Sequence, residues 1–137
     1  MKRIFIDTNV LMDFIFMRQG CLDDEVEIFA LGYEGKLVLI VSALSFVNTI
    51  YIAKHYDVSL ENVKQSLLTL SKYIEIEGLS GENVCEMLES NWKDYEDSTQ
   101  HRSAIDALAE CIVTRNKKDF TLSEIPVLTP TEFLGSI

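Results

Sequence analysis

The sequence has few cysteines and no long apolar run. Its three cysteines, Cys21, Cys85 and Cys111, are scattered and odd in number, so we expect neither a disulfide framework nor a zinc site but reduced, partly buried thiols. No apolar stretch approaches the ~20 residues that cross a bilayer. The first residues lack the long apolar region and the cleavage site of a signal peptide. We therefore expect a cytoplasmic protein that is not bound to a membrane.

Positive charge is also scarce. The chain has 12 basic and 22 acidic residues and a net charge of −10, which argues against a protein that coats nucleic acid, since such proteins are basic. An enzyme whose metal ions neutralise grouped carboxylates, or a protein with a basic partner, remains compatible with this charge. The length of 137 residues suits one core, and we see no linker or internal repeat. We expect one domain over residues 1–137.

The hydrophobic pattern predicts strands that alternate with helices. Strands are predicted over residues 1–6, 37–41, 73–76, 111–114 and 126–128. Helices are predicted over residues 8–17, 23–33, 43–55, 60–72, 82–90 and 97–110, and a short one begins near residue 129. The run at 37–41 is apolar throughout and rich in β-branched residues, as in strands buried on both faces. Such alternation is typical of an α/β protein with a parallel sheet.

Three acidic residues stand beside the predicted strands. Asp7 follows the first strand, Asp97 begins the helix that leads into the fourth, and Asp119 follows the turn after the fourth. Ligands of open α/β sheets bind outside the carboxyl ends of the strands, and hard cations such as Mg²⁺ and Mn²⁺ prefer oxygen ligands. The neutral oxygen donors nearby are Asn9, Thr114 and Asn116. The pattern indicates a metal site, but each acid could instead cap a helix or close a turn.

Three blocks of sequence together resemble the PIN-domain family. They are the residues at 6–11, 94–98 and 112–120, and the last contains a T-R-N-x-x-D-F pattern after a strand. The likeness is greatest to bacterial VapC-type ribonuclease toxins of toxin–antitoxin pairs. It implies a three-layer α/β/α fold with a mainly parallel five-stranded sheet, and cleavage of RNA that depends on Mg²⁺ or Mn²⁺. It further implies that Asp7, Asp97 and Asp119 are catalytic, that they and Asn116 hold the metal, and that the partners are an antitoxin and a second copy in a homodimer.

One position departs from the family. The helix after the second strand usually carries a Glu, and here Asn48 stands in its place. Asn can ligate through its carbonyl but adds no charge and cannot act as a general base, although Glu96 beside Asp97 could compensate in part. The alternative function is therefore a PIN-fold module with a weakened site that binds nucleic acid or a partner. A phosphatase or a flap-type DNA nuclease would differ only in substrate.

Other residues are candidates for supporting or surface roles. Substrate or supporting roles near the metal are expected for Asn9, Asn48, Glu96, Thr114, Arg115 and Lys117. Arg102 and Lys118 join the basic residues that could hold RNA phosphates, although a solvated basic turn explains them equally well. We expect His55 and His101 at exposed positions. The apolar residues Leu31, Tyr51, Ile52 and Tyr56 exceed what one sheet face needs, which predicts an interface.

Overall fold

The structure is a computed structural model that describes residues 2–18 and 22–137. The expectations for Met1 in the first strand and for Cys21 as a reduced thiol lie outside these residues. The two cysteines within them are free. Cys111 is buried, as expected, but Cys85 is exposed, so the expected burial is wrong for Cys85. No helix of the described residues has the length and apolar character needed to cross a bilayer.

The described strands form one parallel sheet. In chain order they are β1 Lys2–Ile6, β2 Leu37–Ser42, β3 Glu75–Glu77, β4 Cys111–Val113 and β5 Val127–Leu128. The spatial order is β3-β2-β1-β4-β5, and every pairing is parallel. Strands β2 and β3 lie on one side of β1, and β4 and β5 lie on the other. The strand order therefore reverses between β1 and β4, and ligands of open α/β sheets bind outside the carboxyl ends of strands at such a point.

Seven helices accompany these strands in the described part of the chain. They are α1 Thr8–Phe16, α2 Leu22–Tyr33, α3 Ala43–Ala53, α4 Leu60–Leu70, α5 Gly81–Glu89, α6 Tyr95–Asp106 and α7 Pro130–Gly135. A short 3-10 helix covers Lys117–Phe120. Two strands lead directly into helices, because Asp7 caps α1 and Ser42 caps α3 through its side chain. These two polar residues therefore lie at the carboxyl edge of the sheet.

Side chains of β1 point alternately to two apolar clusters. Ile4 and Ile6 are fully buried in a cluster that includes residues of α1, α2, α3 and α4, whereas Phe5 is fully buried in a second cluster with Ala104 of α6. Close packing of α2 on β2 requires Gly32, since a Cβ there would lie 2.5 Å from a methyl carbon of Leu39. Helices thus cover both faces of the sheet, and the predicted three-layer α/β/α fold is confirmed.

The helix predicted at residues 97–110 is wrong at both ends. The observed α6 begins at Tyr95 and ends at Asp106. Leu108, which lies within the predicted range, adopts a φ of +58° and is 76% exposed. A residue whose backbone lies in this left-handed region cannot continue a right-handed helix. The polar residues in the middle of α6 are buried instead. Their side chains therefore lie near the carboxyl ends of β1 and β4.

Candidate active site

Asp7 lies at the end of β1 and is 5% exposed. Its Oδ1 accepts hydrogen bonds from the Thr8 backbone nitrogen at 2.8 Å and from Gln100 Nε2 at 3.3 Å. Its Oδ2 accepts one from Thr114 Oγ1 at 2.8 Å. Burial raises the pKa of Asp7 above its usual value, the three hydrogen bonds act in the opposite direction, and the charge of Asp119 adds to the rise. The Asp7 carboxylate is thus fixed in position by three hydrogen bonds and lies near the acidic side chain of Asp119.

Four further carboxylates lie around Asp7. Asp97 is in the first turn of α6, where its backbone nitrogen donates to Asp94 Oδ1 at 3.0 Å. The pKa of Asp97 is raised to about 7, mainly by burial, with the charges of Asp94, Asp7, Asp119 and Glu96 adding to the rise. Burial also raises the pKa of Glu96, with Asp7 and Asp94 adding to it. We call these five residues, Asp7, Asp94, Glu96, Asp97 and Asp119, the acidic pocket.

The acidic pocket lacks a compensating cation among the described residues, because none of its carboxylates takes part in an ion pair there. Nor do any three His, Cys, Asp or Glu side chains of residues 2–18 and 22–137 converge closely enough to hold an ion by themselves. The joint coordination expected of Asp7, Asp97 and Asp119 stays a prediction. The donor set fits a hard divalent cation nonetheless, since Mg²⁺ keeps several waters and binds through one or two carboxylates.

Neutral side chains tie the loop after β4 to the site. Thr114 is buried, and its Oγ1 accepts from Asn9 Nδ2 at 3.3 Å and from the Asn116 backbone nitrogen at 3.1 Å. Asn9 Oδ1 accepts from the Arg115 backbone nitrogen at 3.3 Å. The structure therefore brings Asn9, Thr114 and Asn116 together beside Asp7.

Asn48 also reaches the acidic pocket. Its Nδ2 lies 3.4 Å from Glu96 Oε2, a long hydrogen bond that it donates to the carboxylate. The residue that stands in place of the family's Glu is therefore close to one of the site's acids. It contributes a donor to that acid rather than a further negative charge.

The basic candidates are engaged by other acids. Lys117 Nζ lies 3.0 Å from Glu132 Oε1, and Arg115 Nε lies 2.6 Å from Asp13 Oδ2. Arg102 pairs with Glu86 at 2.8 Å, so its observed partners lie outside the acidic pocket. Lys118 is exposed.

Gln100, which was not among the residues expected at the site, is fully buried behind Asp7. Besides Asp7, its Nε2 reaches Thr8 Oγ1 at 2.9 Å and Ser45 Oγ at 2.8 Å, and its Oε1 accepts from Ser42 Oγ at 2.5 Å. This side chain joins β1, β2, α3 and α6. The sequence gives one indication that Gln100 is buried: α6 has few apolar residues, so a helix packed on the sheet there must bury polar ones.

The expectation that His101 is exposed is wrong, since only 5% of this residue is accessible. Its ring lies 5.0 Å from the Trp92 ring, and its Nε2 accepts from the Glu124 backbone nitrogen at 3.1 Å. Burial lowers the pKa of His101, so the ring is a neutral packing group. Residues distant in the sequence cover it, and the helical pattern of α6 could not reveal this.

The fold and the site together define the class: an α/β protein with an acid-lined sheet edge, as in PIN-type nucleases. A family model described as PIN domain matches residues 3–118. The chain belongs to the PIN-domain family.

Several solved structures have the same fold, and a toxin–antitoxin complex is among them. A toxin–antitoxin complex from Klebsiella pneumoniae has a TM-score of 0.62 and 24% identity, with 93% of this chain and 97% of that chain covered. VapBC2 from Rickettsia felis, bound to a DNA fragment from its promoter, has a TM-score of 0.64 and 17% identity, with 92% and 96% covered. Mycobacterium tuberculosis VapC20, a sarcin–ricin loop cleaving toxin, has a TM-score of 0.62 and 12% identity, with 80% and 86% covered. No curated protein matches the chain in sequence.

Proposed function

We propose that the chain is an endoribonuclease that depends on Mg²⁺ or Mn²⁺ and is the toxin of a toxin–antitoxin pair. The observation that carries the proposal is the acidic pocket itself, whose grouped carboxylates have no cationic partner in the described residues and, together with burial, raise the pKa of Asp97 to about 7. Grouped carboxylates are costly unless a cation neutralises them. The PIN-domain family and the toxin-like neighbours support the same reaction.

The metal would be held by Asp7, Asp97, Asp119 and Asn116. When bound, it would supply a water of lowered pKa and stabilise negative charge on the phosphate. Thr114 and Gln100 fix the two oxygens of Asp7, which is why we assign them a supporting role rather than contact with substrate. Arg115 and Lys117 would bind RNA phosphates at the rim. None of these roles requires a nucleophilic side chain.

A PIN-fold module that binds without cleaving is the second candidate. The observation that favours it is Asn48, whose amide donates to Glu96 and which brings no charge to the metal. Metal affinity in such a site would be lower than with Glu, because fewer negative ligands neutralise the ion.

We also propose a protein partner at an apolar groove between α3, α4 and β3. The groove has a volume of about 550 Å³, and its apolar lining is Phe46, Val47, Ile50, Leu67, Leu68 and Ile76. Exposed apolar patches of this kind mark interaction sites on soluble proteins. An antitoxin would place an apolar segment here and a basic residue in the acidic pocket, where it would compete with the metal.

A homodimer is proposed from the remaining apolar surface. Of the four residues expected at an interface, Tyr51 and Tyr56 are 62% and 51% exposed, while Leu31 and Ile52 are half-buried. Closed homodimers are the commonest assembly. Light scattering should give twice the chain mass, and a monomer at all concentrations would contradict the dimer.

We place the reaction in the cytoplasm and propose that residues 1–137 act as a single domain.

The test is metal-dependent cleavage of a single-stranded RNA by the wild type and by Asp7→Asn. We expect cleavage with Mn²⁺ that stops when the metal is chelated and falls on the order of 100-fold or more in Asp7→Asn, as for groups acting on a metal-bound water. Asp23→Asn removes an exposed acid of α2 and is the matched control. Equal cleavage by Asp7→Asn would contradict the site. Binding of RNA without cleavage would favour the binding module, and cleavage of DNA alone would contradict the RNA substrate.

A further inference from the structure

A second acidic group lies outside the acidic pocket, between α1 and α2. Glu25 is fully buried, and neither of its carboxyl oxygens accepts a hydrogen bond from a donor group of the described residues. The pKa of Glu25 is raised to about 8, mainly by burial, while a hydrogen bond to Asp13 and the charge of Asp13 add to the rise and the charges of Arg115 and Arg18 oppose it. At neutral pH Glu25 is therefore protonated and can donate a hydrogen bond to Asp13. Nothing in the proposed cleavage uses this pair.

Asp13 in turn faces two arginines. Its Oδ2 lies 2.6 Å from Arg115 Nε, and its Oδ1 accepts from Arg18 Nη1 at 3.5 Å. Arg18 is also held by the rings of Phe16 and Tyr56, whose centroids lie 5.4 and 5.7 Å from its guanidinium carbon. The Arg115 side chain is 38% exposed, whereas that of Asp13 is 6% exposed. Arg115 therefore has a buried acid at its Nε, although more than a third of its side chain is exposed.

Arg115 stands on the loop after β4, which is tied to Asp7 and Asn9 by hydrogen bonds. Its neighbours in the chain are Thr114, which donates to Asp7, and Asn116. Its own backbone nitrogen donates to Asn9. A guanidinium held through Nε leaves its two η nitrogens as the remaining donors, and their planar arrangement matches the oxygens of a phosphate.

We propose that Asp13 is a positioning residue that fixes the guanidinium of Arg115 so that its η nitrogens bind a phosphate of the nucleic acid at the acidic pocket. The proposal rests on the proposed function, because it names what holds the substrate of the same site. Glu25 contributes by staying protonated and donating a hydrogen bond to the Asp13 carboxylate. With Glu25 neutral, Asp13 and the two arginines carry one net positive charge, which attracts a phosphate on a protein that is otherwise acidic.

The test is binding of a fluorescent single-stranded RNA to the whole chain without metal, followed by anisotropy over a range of salt. Binding without metal separates this question from cleavage. We expect Arg115→Gln to weaken binding about tenfold, since one charge-assisted hydrogen bond contributes on this order. The slope of log affinity against log salt should fall by about 0.7, the value for one phosphate of a single strand.

Asp13→Asn decides between positioning and plain electrostatics. Removing a negative charge should tighten RNA binding if only the overall field matters, and Asp23→Asn, an exposed substitution of the same charge on α2, measures that effect. If Asp13 positions Arg115, Asp13→Asn should instead weaken RNA binding and lower the salt slope by the same amount as Arg115→Gln. The double variant should then bind RNA no more weakly than either single variant. In the cleavage assay, Asp13→Asn should raise KM and leave kcat unchanged.

Arg115→Lys covers the case in which Asp13→Asn fails to fold, which circular dichroism would show. Lys keeps the charge but not the planar fork, so it should bind nearly as weakly as the Gln variant. Wild-type affinity in Arg115→Lys, or wild-type or tighter binding in a folded Asp13→Asn, would overturn positioning while leaving cleavage standing. RNA binding without cleavage would overturn only the nuclease. A wild type that binds no RNA without metal would overturn the positioning role, while the nuclease would still be decided by the cleavage assay.

Discussion

Replacing Glu25 by Gln tests whether this buried carboxyl is neutral in the folded protein. Gln has the same shape as a protonated Glu and can donate to Asp13 in the same way. The charged groups that act on Glu25 are Asp13, Arg115 and Arg18. Strand β2, which also packs on α2, has no ionisable side chain, and Glu132 of α7 is paired with Lys117. The substitution therefore removes the ionisation of the Glu25 carboxyl and changes few other interactions.

The size of the effect follows from the pKa of Glu25, which rises from 4.5 to about 8 on folding. A folded-state pKa above the unfolded value means that folding favours the protonated form. The contribution of Glu25 to stability is then fully present below pH 4.5 and is lost as pH rises to about 8. Each pH unit in this window costs about 1.4 kcal/mol, so the loss is roughly 2–5 kcal/mol, the lower figure allowing for relaxation around the two arginines.

The assay is urea unfolding at several pH values between 4.5 and 9 for the wild type and Glu25→Gln. The free energies of unfolding should agree near pH 4.5, and the variant should become more stable by roughly 2–5 kcal/mol at pH 9. Titrations of other acids are common to both proteins and cancel in the difference. Glu27→Gln on the exposed side of α2 controls for loss of a negative charge. A difference that does not change with pH would refute a neutral Glu25.

Two further predictions concern the site. Asn48→Glu adds a negative charge next to the acidic pocket and should increase Mn²⁺ affinity in calorimetry, whereas unchanged or weaker binding would place Asn48 outside the metal's surroundings. Gln100→Met should lower the free energy of unfolding by about 2–4 kcal/mol, because it removes the polar partner of Ser42, Ser45 and Asp7 while keeping the volume. Urea unfolding measures this, and wild-type stability would show that the buried network does not hold the sheet edge together.

The sequence by itself determined the sheet and the position of Asp7. Apolar strands such as the run at 37–41, and polar caps such as Asp7 and Ser42, are local features, since each depends on residues within a few positions along the chain. Alternation of strands and helices then predicts a parallel sheet, whose carboxyl edge carries these caps. The PIN-domain membership also followed from the sequence, because its motifs are short blocks at those strand ends.

Only the tertiary structure decided which polar side chains are buried and what they contact. Gln100 meets Asp7 across 93 positions of the chain, and Arg115 meets Asp13 through the packing of a loop against α1. Glu25 stands in the first turn of a helix, where acids are favoured in solvent, yet neighbouring elements bury it completely. Such contacts depend on how separate elements pack against one another, and no spacing within one helix or strand encodes that.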